Sequence, residues 1–338
     1  MSALPAAHQA VDVMLYADFD DPALSPMEWQ RAASLGSTWT VFQERDWQVD
    51  WWNTYGRGDL VIAVAYVSNH IIAIAPLFID GNMAFFVGSG GSDYLDFIGN
   101  AGGEGVMAAL LGAVLDRHPK LLGMRFYHVP GASGTAPALK ACADRLGLLL
   151  YEEGSHVAPV LDMGEDGCPA RDAASKKSLV RHERLFSREG PLSIRHLSAA
   201  REILPHLDSF FVQHEQRWSR TPSPSLFNDR ANRSFYTRLS ERADSKTWLR
   251  FTVVEWESRP IAYHFGFSHR GRYLWYKPSF DISLARRSPG EVLLRHLLLA
   301  AAAERARVFD FGLGDEAFKY RFATHSPVVY NWALYPGG

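Results

Sequence analysis

The residues of this chain that are best suited to bind a ligand or take part in a reaction lie near its C-terminal end. Two arginines, Arg286 and Arg287, precede Ser288-Pro289-Gly290-Glu291, a pattern typical of a helix start with serine as cap and proline at the first helical position. A helix start offers unpaired N–H groups and the positive end of the helix dipole, and a glycine there lets an anion approach the backbone closely. The sequence therefore predicts a binding site for a phosphorylated carrier on Arg286, Arg287, Ser288 and Gly290.

The same residues also allow a purely structural interpretation. Serine and glutamate three positions apart can form a capping box, and such a cap stabilises any helix by about 1 kcal/mol. Glu291 also adds negative charge where a phosphate would bind. Both interpretations are open at this point.

Four other side chains could assist a transfer reaction in this region. Asp310 ends an apolar strand, where open sheets commonly bind ligands, and a carboxylate could take a proton from an attacking amine. His264 lies among small residues on a predicted strand and titrates near neutral pH, so it could do the same. Lys319 could stabilise negative charge on an acyl oxygen, and Tyr276 could protonate a leaving thiolate. For Asp310, His264 and Tyr276 a structural role is the competing interpretation, and for Lys319 it is a solvated lysine on the surface.

The elements that must hold these residues follow from the spacing of apolar side chains. The first half predicts, in order, strands over 60–67, 71–79 and 83–88, a helix over 104–117, a strand over 122–128, a helix over 136–146 and strands over 148–153 and 156–162. The second half predicts a strand over 192–197, helices over 199–218 and 230–243, strands over 248–257, 259–269 and 272–279, a helix over 292–303, a strand ending near Asp310 and a short helix over 318–322. Both halves thus contain a mostly antiparallel sheet, flanked by helices, that leads into a strand–helix–strand unit. This order predicts a mixed α/β fold built by duplication.

A polar, glycine-bearing stretch over 164–174 is the best candidate for a domain boundary. It predicts an N-terminal domain over 1–165 and a C-terminal domain over 166–338.

Bulk properties exclude several classes of protein. The 338 residues carry a net charge of −2 and are 47% hydrophobic, which is typical of soluble globular proteins. Only two cysteines occur, which excludes a disulfide framework and fits a reducing compartment. No histidine has metal-ligand spacing, so we expect no metal. The N-terminus lacks a secretion signal and the apolar runs are shorter than the roughly 20 residues of a membrane helix, which predicts a cytoplasmic protein without a membrane segment. No feature indicates an oligomeric state.

A locally basic segment covers residues 171–195, which contain seven Lys or Arg and only three acidic residues. If it is helical, Arg181 and Arg184 lie on one face together with Lys177 and Arg188. That face is either solvated or a surface for the phosphates of a nucleotide sugar, a lipid-linked sugar or RNA.

The segment Trp248–Phe322 resembles the CelD/BcsL-type acyltransferases of the GNAT superfamily, through its strand 261–267, its Ser288-Pro289-Gly290 turn and its segment 310–315. An aromatic helix over 47–55 and Ser92-Asp93-Tyr94-Leu95-Asp96 fit the first half of that family. The resemblance implies two tandem GNAT-like domains and acetyl-CoA or another acyl-CoA as co-substrate, with no permanently bound cofactor. It also implies an acceptor tied to exopolysaccharide or cell-envelope synthesis, with Asp93, Tyr94 and Asp96 as substrate-binding residues.

This chain departs from the superfamily's phosphate-binding loop, because Val292 stands where a small residue is usual. In addition, Phe318-Lys319 with Phe322 resembles the Fem-type peptidyltransferases, which take aminoacyl groups from tRNA. Three hypotheses follow. The leading one is an acyl-CoA-dependent N-acyltransferase that acts on an amine of a small sugar or glycan precursor. The second replaces the donor by aminoacyl-tRNA, and the third is an inactive GNAT-like module that binds a polysaccharide or a protein.

Overall fold

The computed structural model describes residues 11–219, 221, 224–245 and 247–337. The strands within these residues are, in chain order, β1 (Asp12–Tyr16), β2 (Asp59–Val67), β3 (His70–Asp80), β4 (Met83–Phe86), β5 (Ile98–Gly99), β6 (Gly123–Pro130), β7 (Leu148–Val157), β8 (Val160–Asp162), β9 (Leu192–Leu197), β10 (Leu249–Trp256), β11 (Arg259–His269), β12 (Arg272–Phe280), β13 (Val308–Asp310) and β14 (Val328–Pro336).

The α-helices are α1 (Pro26–Ala33), α2 (Arg45–Tyr55), α3 (Val106–Arg117), α4 (Thr135–Leu146), α5 (Cys168–Ala174), α6 (Lys177–Glu189), α7 (Ala200–Ile203), α8 (Leu207–Trp218), α9 (Arg230–Glu241) and α10 (Pro289–Ala303). Shorter 3-10 helices include Leu204–His206, Ile282–Arg287 and Lys319–Arg321.

The chain folds into two compact units. Unit 1 contains the chain up to His156 and the chain from Val328 onward, and unit 2 is Val157–Pro327. The sheet of unit 1 has the order β1-β2-β3-β4-β6-β14-β7, with β5 paired to β3. In this sheet β4 and β6 run parallel and are joined through α3.

The sheet of unit 2 has the order β8-β13-β12-β11-β10-β9. Neighbouring strands are antiparallel except β12 and β13, which run parallel and are connected by α10. The apolar face of α10 is buried against this sheet through Leu293, Leu297 and Ala301. A strand–helix–strand connection thus recurs in both units, and the predicted mixed α/β class with two sheet-based domains is confirmed.

Three predicted elements differ from the structure. The helix predicted over 199–218 is divided into α7, a 3-10 turn and α8 at Pro205, because proline has no N–H to donate within a helix. The stretch 164–174 contains α5, whose buried alanines (Ala170, Ala173 and Ala174) pack in the same core as α10. The last predicted helix is only the 3-10 turn Lys319–Arg321.

The units also divide the chain at different places from the domains predicted over 1–165 and 166–338. Residues from Val157 belong to unit 2 because β8 pairs with β13, and β14 belongs to unit 1 because it pairs with β6. Sequence periodicity cannot show which distant strand an edge strand joins. Among the described residues, no helix has the length and apolar character needed to cross a membrane.

Candidate functional site

A gap opens in the sheet of unit 2 where its two parallel strands diverge. β12 and β13 pair only from Arg272–Val308 to Leu274–Asp310. β12 then continues to Phe280, whereas β13 ends at Asp310. The gap beyond Leu274 is called here the wedge of unit 2, and α10 begins beside it.

A cavity of about 210 Å³ occupies this wedge. Its apolar lining comes from the end of β12, the first turns of α10 and the segment after β13, and includes Trp275, Phe280, Leu293, Leu294, Phe318 and Phe322. Its polar lining includes the start of α10, at Ser288 and Gly290, and the arginines Arg217 and Arg321. The arrangement suits an elongated ligand with an apolar or amide arm and an anionic end.

The start of α10 lacks the predicted capping box. Ser288 has φ of 57°, in the left-handed region, and its side chain makes no capping hydrogen bond. Left-handed backbone is costly for a residue other than glycine, and such residues concentrate at functional sites. Gly290 follows two positions later, where an added Cβ would lie 3.3 Å from a ring carbon of Phe280. The backbone at the start of α10 therefore lines the cavity without a side-chain cap of its own.

The charge of Glu291 is compensated within the same lining. Its Oε1 accepts a hydrogen bond from Arg321 Nη1 at 2.6 Å, and its Oε2 lies 3.5 Å from His182 Nε2. Arg321 also donates from Nη2 to Ser178 Oγ at 2.8 Å. This ion pair weakens the repulsion that the carboxylate of Glu291 would exert on an anion at the helix start.

Arg217 lies at the end of α8 and lines the cavity, although no sequence pattern predicted a role for it. Its guanidinium donates to the Pro278 carbonyl at 2.6 Å and lies 4.7 Å from the centroid of the Phe280 ring. Among the described residues, no carboxylate forms an ion pair with it. Burial lowers its pKa to about 10, and the charge of Glu316 opposes this shift only in part. A buried arginine whose charge is partly compensated favours an anionic ligand. No local pattern signals it, because Arg217 is 73 residues from Gly290.

The two predicted phosphate-binding arginines have different surroundings. Arg286 is exposed, and no described residue forms an ion pair with it. Arg287 forms an ion pair with Glu189 and lies over the rings of Phe186 and Trp256, at 4.9 and 4.8 Å from their centroids. Arg287 thus joins α6 to the sheet, and only Arg286 is left available near the start of α10.

Asp310, predicted as a proton acceptor, is fully buried and already bound. Its Oδ2 accepts a hydrogen bond from Arg272 Nη1 at 2.7 Å, and its Oδ1 accepts one from the N–H of Gly312 at 2.8 Å. A carboxylate held in this way fixes the end of β13 and the turn that follows it.

Lys319 is also buried, at 2% exposure, although a solvated lysine was the competing expectation. Its ammonium donates to the carbonyls of Leu313 at 2.6 Å and of Gly312 and Gly314 at 3.3 Å, and it pairs with Glu316 at 2.7 Å. An ammonium has three protons to donate. All of them are used within the chain, so Lys319 pins the turn after β13 instead of facing the cavity.

The side chain of His264 links two strands of the sheet of unit 2. Its Nε2 accepts a hydrogen bond from the N–H of Tyr276 at 3.2 Å, across a bulge between β11 and β12. A Cβ on Gly266 would lie 2.0 Å from this imidazole, so the glycine makes room for the ring. Burial lowers the pKa of His264 to about 3. The ring nitrogen that could take a proton is therefore occupied.

Tyr276, the predicted acid, does not line the cavity. Its ring packs against Phe267 of β11 and Tyr236 of α9, with centroids 5.1 and 6.3 Å away. The four predicted catalytic side chains thus surround or support the wedge without converging on one point in it.

The substrate-binding residues expected in the first half lie in unit 1. Asp96 is buried there and accepts hydrogen bonds from Thr38 at 2.7 Å, Thr135 at 2.5 Å and the Phe97 N–H at 2.9 Å. Burial raises its pKa. Tyr94 is buried beside Phe42, and Asp93 is half-buried. Asp96 therefore has the surroundings of a structural carboxylate.

Arg181 and Arg184 lie on the outer face of α6 and are exposed. The inner face of the same helix contributes Ser178 and His182 to the contacts with Arg321 and Glu291. These two arginines are therefore outside the cavity, on a helix that borders it.

Comparison with protein families gives a match over residues 173–320, to a family described as an acetyltransferase (GNAT) domain. The matched residues include α6, the sheet strands β9 to β13 and α10. A sequence search of curated proteins found no match.

Several solved structures share the fold. The crystal structure of FemX has a TM-score of 0.65 at 8% identity, over 93% of this chain and 96% of that one. The C-terminal domain of a putative lysylphosphatidylglycerol synthetase from Agrobacterium fabrum has a TM-score of 0.54 at 14% identity, over 92% of each chain. A tandem GNAT protein from the clavulanic acid biosynthesis pathway has a TM-score of 0.52 at 13% identity, over 97% of this chain and 99% of that one.

Proposed function

We propose that this chain, whose residues 173–320 match a family described as an acetyltransferase (GNAT) domain, moves an acyl group from acyl-CoA to an amine of a sugar or cell-envelope precursor. The single observation that carries the proposal is the cavity of unit 2, which combines an apolar interior with an uncapped helix start and with Arg217, which forms no ion pair with a described residue. The CelD/BcsL-type subfamily and the envelope acceptor belong to the proposal and come from the resemblance of the sequence.

In this proposal the phosphates of the donor lie at the mouth of the cavity. They would accept hydrogen bonds from backbone N–H groups at the start of α10 and from Arg217 and Arg286. The cavity volume of about 210 Å³ is smaller than the ~300–1,000 Å³ of a pocket for a drug-sized ligand, so it would take only the narrow thioester arm.

Catalysis in this proposal comes mainly from holding the thioester and the amine together, since proximity alone lowers a barrier by several kcal/mol. The amine nitrogen attacks the thioester carbonyl and forms the new bond from carbon to nitrogen, and the bond from carbon to sulfur breaks. The proton that the amine loses passes, directly or through water, to the departing thiolate, which leaves as CoA. Asp310 and Lys319 keep the wedge in shape by fixing the turn after β13, and His264 keeps the bulge beside it.

The direct test is isothermal titration of the full chain with acetyl-CoA and with a longer acyl-CoA. We expect binding that is weakened by Arg217→Gln and unaffected by Arg230→Gln, an exposed arginine on α9. If neither thioester binds while an aminoacyl-tRNA does, the donor is RNA-linked, as in the second hypothesis. If no donor of either kind binds, the proposal fails in favour of an inactive binding module.

A further inference from the structure

The charges of α6 are sorted between its two faces. Both of its acidic residues have cationic partners on neighbouring elements: Glu183 pairs with Arg295 at 2.7 Å and lies 3.3 Å from His296, and Glu189 pairs with Arg287. The basic residues Lys177, Arg181, Arg184 and Arg188 are exposed, and none of them forms an ion pair with a described residue. The outward face is therefore purely cationic.

These four cations form a straight line, called here the outer stripe of α6. They follow each other at intervals of four, three and four residues, which keeps them within about 40° of one direction around the helix. The stripe extends for about 16 Å at 1.5 Å per residue. A straight line of charge on one side of a helix can contact a flat anionic surface with all its members at once.

The residues beside the stripe distinguish between two kinds of polyanion. Leu185 flanks it and is 37% exposed, an aliphatic side chain that can enter the boundary of a lipid layer. The exposed residues of α6 include no Phe, Tyr or Trp on which a base could stack, because Phe186 is buried. Single-stranded nucleic acids are usually held by such stacking, so the composition favours lipid.

We propose that the outer stripe of α6 docks this protein on an anionic lipid surface. Clusters of four or more Lys and Arg on an amphipathic helix suit anionic headgroups, and a single helix of this kind gives reversible attachment. The inner face of α6 contacts the cavity rim through Ser178 and His182, so docking would place the cavity within about one helix diameter, 10–12 Å, of the headgroups. The docking itself does not depend on which donor the cavity binds.

The test is co-sedimentation of the full chain with vesicles of phosphatidylcholine, alone or mixed with phosphatidylglycerol. We expect binding only to the anionic vesicles, weakened when salt rises from about 0.05 M to about 0.5 M, because salt shortens the range of the charges. Neutralising one cation should weaken binding about fivefold, which corresponds to about 1 kcal/mol. The double variant R181Q/R184Q should therefore bind about 25-fold more weakly.

A matched control is R201Q/R230Q, which removes two exposed arginines from α7 and α9 and should bind like the unmodified chain. Circular dichroism of both variants checks that α6 is still folded. Equal binding to neutral and anionic vesicles would overturn the proposal, and so would unchanged binding of R181Q/R184Q. Tighter binding to RNA than to anionic vesicles, lost in the same variant, would overturn it too and assign the stripe to nucleic acid.

Discussion

Two strand–helix–strand units in this protein have the same connectivity and different interiors. In unit 1, α3 joins the parallel strands β4 and β6, and in unit 2, α10 joins β12 and β13. Both helices follow an N-cap residue in the left-handed region, with φ of 73° at Gly105 and 57° at Ser288. Gly105 has no side chain that could cap α3, and the side chain of Ser288 makes no capping hydrogen bond to α10.

The wedge of unit 1, where β4 and β6 diverge after Phe85 and Arg125, is filled by the chain itself. The ring of Phe97 packs against both Phe86 and Phe126, with centroids 5.0 and 5.1 Å away, and those two rings lie 4.9 Å from each other. The N–H of Leu95 also donates to the carbonyl of His128, on the strand that borders this wedge, at 3.2 Å. The corresponding wedge of unit 2 holds a cavity of about 210 Å³ instead.

This difference gives the two units different capacities to hold a ligand. A wedge filled by an aromatic ring of the chain gains van der Waals contacts and so stabilises its unit. An open wedge lacks those contacts and can hold part of a ligand. We infer that the donor site belongs to unit 2 alone.

The largest expected effect comes from emptying the closed wedge. Phe97→Ala should lower the free energy of unfolding of unit 1 by about 4 kcal/mol, because a fully buried ring leaves a cavity behind. Phe318→Ala, which removes a half-buried ring beside the open wedge, should cost about half as much. Urea denaturation of both variants measures the difference, and equal losses would contradict the contrast between the wedges.

The second expected effect is a difference in acid sensitivity. Burial lowers the pKa values of His214 and His264 in unit 2 to about 3, below the usual 6.5. Because the unfolded chain takes up protons below about pH 6.5 and the folded state does not, the free energy of unfolding falls as the pH drops. Between about pH 6.5 and pH 5 the two groups together should remove about 3 kcal/mol from unit 2.

Unit 1 contains a buried group, Asp96, whose effect on stability changes with pH in the opposite direction. The pKa of Asp96 is raised by burial, so acidification favours its folded form. Hydrogen exchange in β11 and in β6, corrected for the intrinsic pH dependence, compares the two units. The variant His214→Gln should remove about half of the acid loss that His214 and His264 cause together, and an identical pH response of both strands would count against the prediction.

The third expected effect concerns binding at the open wedge. Gly290→Asp places a negative charge at the second position of α10 and a Cβ 3.3 Å from Phe280, so affinity for acetyl-CoA should fall about 100-fold, or about 2.7 kcal/mol. Met27→Asp, at the second position of α1, is the matched control, since Met27 is 72% exposed and is not among the donor contacts of the proposal. Titration calorimetry of the two variants decides the matter, and equal affinities would remove the site from α10.

Local pattern was sufficient for most strands and for α10. The alternation of apolar residues over 248–257, 259–269 and 272–279 corresponds closely to β10, β11 and β12. It could not reveal β14, because its partners in unit 1 are about 200 residues earlier in the chain. Local pattern could not predict the role of Arg217 either, since only folding brings this residue beside α10.

The roles of polar residues were harder to predict than their positions. Asp310 and Lys319 were predicted as catalytic residues, and the structure shows both of them buried and bonded within the chain. Their partners are backbone groups of Gly312 to Gly314 and the side chain of Arg272, which no spacing rule identifies. A pattern of residue types can select a polar residue as a candidate for a role, whereas its hydrogen-bond partners depend on the folded chain.

The smallest expected effect separates two helix starts with the same sequence pattern. Ser25-Pro26-Met27-Glu28 begins α1, and there the side chain of Ser25 accepts a hydrogen bond from the Glu28 N–H at 3.3 Å. Ser288-Pro289-Gly290-Glu291 begins α10, where Ser288 makes no such bond. Ser25→Ala should therefore cost about 1 kcal/mol of unfolding free energy, and Ser288→Ala less than about 0.3 kcal/mol. Because left-handed backbone is similarly unfavourable for serine and alanine, a loss of about 1 kcal/mol in Ser288→Ala would show that this serine caps α10 in solution, and the anion site would then lose its open N–H groups.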